Sequence, residues 1–194
     1  MDTLYKRVEE KLSGKRYEHT LGVIETAINL GKIHGVDLKK IEIAALFHDY
    51  AKDLSLNEAI ELMDKHGISL GGSSLINLNL IHGKLASFIL KDEFGIYDED
   101  ILSTITYHTT GRDPMSKLEK IIYLADTIEP SRNFDKLNLI RQMAQRDLDK
   151  AVLMAMDTTL EYLIRTNKEI DTKTIEGRNH IIKELDKRLV NEKK

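Results

Sequence analysis

The chain has 194 residues, 41% hydrophobic and 31% charged, with no cysteine and a formal net charge of -3. That composition fits one globular domain with a buried core, and the lack of cysteine excludes disulfides, thiolate nucleophiles and sulfur-ligated metals. Mild acidity, with a sequence pI near 6.2, argues against a nucleic-acid polymer as partner but leaves room for a small anion held by a local cluster of cations.

Two prolines and eleven glycines punctuate the chain, which favours long helices. Thr3–Leu12 carries Leu4, Val8 and Leu12 at helical spacing and stops near Ser13-Gly14. A longer helix is expected from Lys15 to His34, closed by Gly35, with His19 at the margin of its apolar side. Leu38–Ala51 reads as a buried helix, because Ile43 to Phe47 is almost unbroken apolar sequence running into His48-Asp49. Ser55 and Glu58 form a capping-box pattern that opens a helix to His66. Gly71-Gly72-Ser73-Ser74 marks a loop, and Leu75–Ile81, although alternating, reads as loop or short helix because one strand has no sheet to join.

Further helices are expected from His82 to Gly95, from Glu99 to Tyr107 with His108 at its end, and from Met115 or Ser116 to Ile128 before Pro130. Leu137–Arg146, Leu148–Thr166 and Ile175–Leu189 complete an all-α bundle read as a single domain over residues 1–194. The apolar residues after Asp135 suffice either to close the core or to form a homodimer. The N-terminus has no signal-type apolar region and no run reaches membrane-spanning length, so a cytoplasmic protein with no membrane partner is expected.

Six residues stand in helix ends or apolar segments where polar groups need partners: His19, His48, Asp49, His82, His108 and Asp126. Imidazoles and carboxylates gathered from several helices form a nitrogen–oxygen donor set. It suits iron, manganese, cobalt, nickel or zinc better than calcium or magnesium. By contrast His34, His66 and His180 read as helix-end or surface residues.

The ordered set, with its flanks His48-Asp49-Tyr50-Ala51-Lys52, His82-Gly83, His108-Thr109-Thr110-Gly111-Arg112 and Asp126 through Arg132, resembles the HD-domain metal-dependent phosphohydrolases, and among them the YqeK group, over about residues 16–134. The resemblance implies a helical fold with a metal site between helix ends, a centre of one or two divalent transition-metal ions (iron first, manganese or cobalt next), and symmetrical cleavage of diadenosine tetraphosphate to two ADP. It implies His19, His48, Asp49 and Asp126 as metal ligands, and Asp49, His82, His108 and Lys52 as the catalytic group. On the same resemblance His82 and His108 would either complete a second metal or contact the phosphates. Glu18, Lys52, Thr109 and Arg132 would surround the nucleotide.

Physical chemistry agrees with such a reaction. Arginine's planar fork and lysine's point charge both suit phosphoryl oxygens, and for a good leaving group such as ADP positioning and electrostatics outweigh acid catalysis. Other readings of the same residues are a nucleotidase or dNTP phosphohydrolase, a metal-dependent nucleotide-binding signalling module, and a helical adaptor with a structural metal. Lys52, a cation three residues beyond Asp49, tilts the choice towards a polyphosphate.

Overall fold

The structure is a computed structural model that describes residues 1–68 and 77–191. All of its regular elements are helices: α1 (Asp2–Lys11), α2 (Gly14–His34), α3 (Leu38–Phe47), α4 (Leu56–Lys65), α5 (Leu78–Phe94), α6 (Glu99–Tyr107), α7 (Lys117–Ile128), α8 (Leu137–Ala144), α9 (Leu148–Arg165) and α10 (Thr172–Asn191). The expected all-α class is what is found. No helix among the described residues is long and apolar enough to cross a membrane.

The central element is α3. Asp37 caps it, accepting from the amides of Lys39 and Lys40, and Ile41, Ala44, Ala45, Leu46 and Phe47 are fully buried. A helix apolar on nearly every face is stable only when surrounded, and α3 packs against α2, α6 and α7. Phe47, its last residue, meets Phe94 of α5 edge-to-face with ring centroids 4.7 Å apart. The helices α8, α9 and α10 join through α7, and their buried residues, among them Ile140, Val152, Met156 and Ile181, belong to the same hydrophobic cluster as α3. These later helices therefore close the core.

Two boundaries differ from expectation in ways that matter. The buried helix ends at Phe47, four residues before the predicted Ala51, and the chain continues in turns through Asp53. There the amide of Tyr50 donates to the Phe47 carbonyl at 3.1 Å and that of Lys52 to the Asp49 carbonyl at 2.9 Å, the tighter three-residue pattern. The expected loop at Gly71–Ser74 lies outside the described residues, as do Leu75 and Ile76. Leu78–Ile81 is the first turn of α5, with Asn77 accepting from the amide of Asn79 at 3.2 Å. A second capping box, Ser116 with Glu119, opens α7; the sequence carries the same spacing there as at Ser55 and Glu58.

Candidate metal centre

His48 occupies the C-cap of α3. Its Nδ1–H donates to the Ala45 carbonyl at 2.7 Å, and its buried Nε2 has no hydrogen-bond partner. His108, the C-cap of α6, repeats the arrangement, donating Nδ1–H to Ile105 at 2.7 Å. Each backbone bond selects the tautomer whose Nε2 lone pair points away, as a metal ligand needs. A buried nitrogen left without a partner costs about 1–3 kcal/mol.

His82 approaches from α5. Its Nε2 lies 3.0 Å from Asp49 Oδ1 and 3.0 Å from His108 Nε2, while Nδ1 faces the Leu78 carbonyl at 3.2 Å. Gly83 makes this possible: a Cβ there would collide with the Ile105 carbonyl and come 3.1 Å from His108 Nδ1, so α5 and α6 could not approach so closely. Several lone-pair acceptors thus converge, an arrangement that calls for a cation or proton among them.

Asp126 of α7 lies 3.0 Å from His19 Nε2 of α2. On the other side of that ring, Nδ1 meets Glu129 Oε1 at 3.0 Å. Glu129 is buried; it also accepts from the Ser131 amide at 2.7 Å and from the Ser131 hydroxyl. Arg141 of α8 steadies the segment by donating to the carbonyls of Ile128 and Glu129 at 2.9 and 2.8 Å. Gly22 leaves room for the carboxylate, since a Cβ there would come 2.9 Å from Glu129 Oε2. A carboxylate behind a ligating imidazole fixes its tautomer and raises its basicity. Glu129→Gln is therefore expected to weaken metal affinity roughly 10–100-fold with little loss of thermal stability, measured by competition with a chelating indicator and by melting.

Donor atoms of His19, His48 and Asp126 lie within 4.8 Å of one another, and so do those of His48, Asp49 and His108. The two sets share His48. With the bare Nε2 of His48 and a donor set of nitrogen and oxygen only, these residues fit a divalent transition metal.

Cations surround the carboxylates. Arg16 donates Nη1 to Asp49 Oδ2 at 2.7 Å and Nε to Asp53 Oδ1 at 2.9 Å, and Asp53 in turn accepts from the Ser13 amide at 3.1 Å. Arg132 reaches Asp126 Oδ1 at 2.6 Å, and Lys52 Nζ lies 3.4 Å from both nitrogens of His82. Two cavities meet here, of about 910 and 440 Å³, and His108, Thr109, Asp126 and Arg132 line both.

Burial pushes the carboxyl of Asp49 up, but His48, His108 and His82 outweigh it and hold it far below the usual carboxylate range. Asp126 behaves likewise, with His19 and His48 opposing burial. Burial also pushes Lys52 down. His19 is raised, because Asp126 and Glu129 overcome its burial. Burial pushes His48 down, and takes His82 down to about 4 against the pull of Asp49.

The unfolded chain protonates His82 near pH 6.5 and the folded protein only near 4. Between those values the folded state binds fewer protons, so stability falls as pH falls. His19, raised, exerts its effect above this window. Metal-stripped protein is expected to lose on the order of 3 kcal/mol between pH 7 and pH 4. Urea melts across that range check it, and an unchanged midpoint would contradict it.

Of the residues singled out in the sequence, His19, His48, Asp49, His82, His108, Thr109, Lys52, Asp126 and Arg132 come together. Glu18 does not. It is exposed and lines neither cavity, because the residue before His19 points about 100° away around α2. His82 is buried and touches Asp49, His108 and Lys52 without lining either cavity. His34, His66 and His180 stay outside the centre, pairing with the Ala144 carbonyl, Asp92 and Asp113. Nothing in the sequence marked Arg16, Lys15 or Glu129 for the site, although Glu129 lies inside the Asp126–Arg132 motif.

The HD domain pattern matches residues 16–131. The chain belongs to the HD-domain family. It is 41% identical to the symmetrical bis(5'-nucleosyl)-tetraphosphatase of Halalkalibacterium halodurans, over 91% of this chain and 94% of that one. It is 39% identical to the protein of the same name from Bacillus subtilis, over 84% and 87%. A crystal structure from Clostridium acetobutylicum, described as a predicted HD superfamily hydrolase involved in NAD metabolism, superposes with a TM-score of 0.88 at 42% identity, over 94% of this chain and 97% of that one.

Proposed function

We propose that the protein hydrolyses diadenosine tetraphosphate symmetrically, giving two ADP, at a divalent-metal centre most suited to iron. The carrying observation is the pair of donor triads sharing His48, set where two cavities meet; relatives at about 40% identity bear the name of that activity. When bound, the metal supplies a water of lowered pKa and positive charge beside the phosphoryl oxygens.

The chain's own residues do the rest. His19, His48, Asp49 and Asp126 would hold the metal, and His108 could join them through the second triad. His82 anchors Asp49 Oδ1 from behind. Lys52 and Arg132 stand over the phosphates as point charge and fork, and the Thr109 hydroxyl, 3.1 Å from His108 Nε2, is placed to donate to a phosphoryl oxygen. Arg16 holds the outer oxygen of Asp49, leaving the inner one to face the imidazoles.

The test is to incubate protein loaded with iron, manganese or cobalt with diadenosine tetraphosphate and separate the products. ADP alone is expected, fastest with iron. ATP plus AMP, no turnover with any of the three metals, or faster turnover of mononucleotides would overturn the reading.

A further inference from the structure

The stretch His108-Thr109-Thr110-Gly111-Arg112 divides where the structure places it. His108 and Thr109 line both cavities, whereas Arg112 lines neither. It turns away from the centre. Its Nε donates to Glu119 Oε1 at 2.7 Å, and its guanidinium lies 4.8 Å from the centroid of the Tyr107 ring. Glu119 is buried, and its other oxygen accepts from the Ser116 amide at 2.6 Å, so the pair is built into the start of α7. A fork that would suit a phosphate is committed instead to a buried carboxylate, which needs the partner.

The other side of Arg112 is closed by α10. Gly177 passes so near that a Cβ there would come 2.9 Å from the Arg112 carbonyl oxygen and 3.1 Å from its amide nitrogen. About one turn further on, His180 Nδ1 lies 2.7 Å from Asp113 Oδ1, and Thr174 and Ile181 are buried, which holds the helix against the loop. Within the loop, Gly111 takes φ +67° and its amide donates to the Tyr107 carbonyl at 2.7 Å, ending α6 with a left-handed residue. His108 is fixed within α6 by its bond to the Ile105 carbonyl. Thr109 is not. Among the described residues its hydroxyl meets only the imidazoles of His108 and His82, at 3.1 and 3.5 Å, so its position follows from where the loop is held.

We propose that Arg112 is a positioning residue for Thr109: clamped between Glu119 of α7 and Gly177 of α10, it sets where the Thr109 hydroxyl meets a phosphoryl oxygen of the substrate. This rests on the hydrolase reading above and deepens it. The arginine binds no phosphate itself, and α10, far along the chain from every metal-ligand candidate, takes part in the site through the backbone of Arg112.

The experiment is a double-mutant cycle on metal-loaded full-length protein with diadenosine tetraphosphate, run well below the melting temperature of every variant. Arg112→Met is expected to lower kcat/KM roughly tenfold, the scale for a substrate contact displaced by a fraction of an ångström, with bound metal unchanged. In a Thr109→Ala background the same substitution should cost less than about twofold, because the contact it positions is already gone. Arg112→Lys, which keeps a cation within reach of Glu119, should recover most of the loss. Gly177→Ala tests the other side of the clamp and should lower kcat/KM in the same Thr109-dependent way, although alanine suits a helix better than glycine. Equal losses with and without Thr109, an unimpaired Thr109→Ala, loss of metal from Arg112→Met, or wild-type kinetics in both Arg112→Met and Gly177→Ala would overturn the inference. No turnover by wild type would instead overturn the hydrolase reading beneath it.

Discussion

Asp49→Ala is expected to abolish diadenosine tetraphosphate hydrolysis and to cut the metal content of the purified protein sharply. Three groups depend on this carboxylate: its Oδ1 faces His82 at 3.0 Å and His108 at 3.6 Å, and its Oδ2 takes Arg16 at 2.7 Å. Without it, the triad of His48, Asp49 and His108 loses its only anion. The guanidinium of Arg16 is then left with Asp53 alone, and His82 and His108 lose the carboxylate oxygen they face. The loss in kcat/KM should exceed the roughly 10–100-fold typical of losing an outer partner such as Glu129. Metal analysis and steady-state kinetics on the same preparation check it. A variant that keeps its metal and more than a tenth of its activity would remove Asp49 from the centre. The fold should persist, because Arg16 keeps its bond to Asp53 and Asp49 itself packs no large apolar surface.

Phe47→Ala is expected to be the most damaging single core change at the site, with the effect read first as stability. Phe47 is fully buried and contacts Phe94 edge-to-face and Tyr50 at a centroid distance of 5.3 Å. Truncating such a ring costs about 3–5 kcal/mol, which for a chain of this length lowers the melting temperature by about 10 °C. The position adds a consequence for function. Phe47 is the last residue of α3, and His48 follows directly, so a cavity there loosens the turn that aims His48 Nε2. Metal affinity should fall together with stability. Phe47→Leu, which keeps most of the volume, should recover much of both. Melting and metal titration of the two variants check the linkage, and wild-type metal affinity in Phe47→Ala would break it.

Much of the fold was legible. The apolar spacing of Leu4, Val8 and Leu12, the capping pattern at Ser55 and Glu58, and the stop at Gly95 all mark helices that the structure contains, because each depends on residues within a turn or two of one another. Boundaries were less legible where a side chain intervened. The helix through Phe47 was expected to reach Ala51, but the imidazole of His48 bonds back to Ala45 and the chain tightens into turns that place Asp49 and Lys52 towards the centre.

The candidate site divides in the same way. The candidate donors, their nitrogen and oxygen chemistry and the demand of a buried His48-Asp49 pair for a partner were legible in the sequence alone, since they follow from residue type and an apolar neighbourhood. Which donors lie within reach of one another, and what supports them, only the tertiary structure decided. Glu129 lies 110 residues from His19 and Arg16 lies 33 from Asp49, yet each pair is in contact. Glu18, adjacent to His19 in sequence, faces outward. Helical periodicity says which face of a helix is buried; the packing of α2 on α7 and of α5 on α6, allowed by the missing side chains of Gly22 and Gly83, says which buried faces meet.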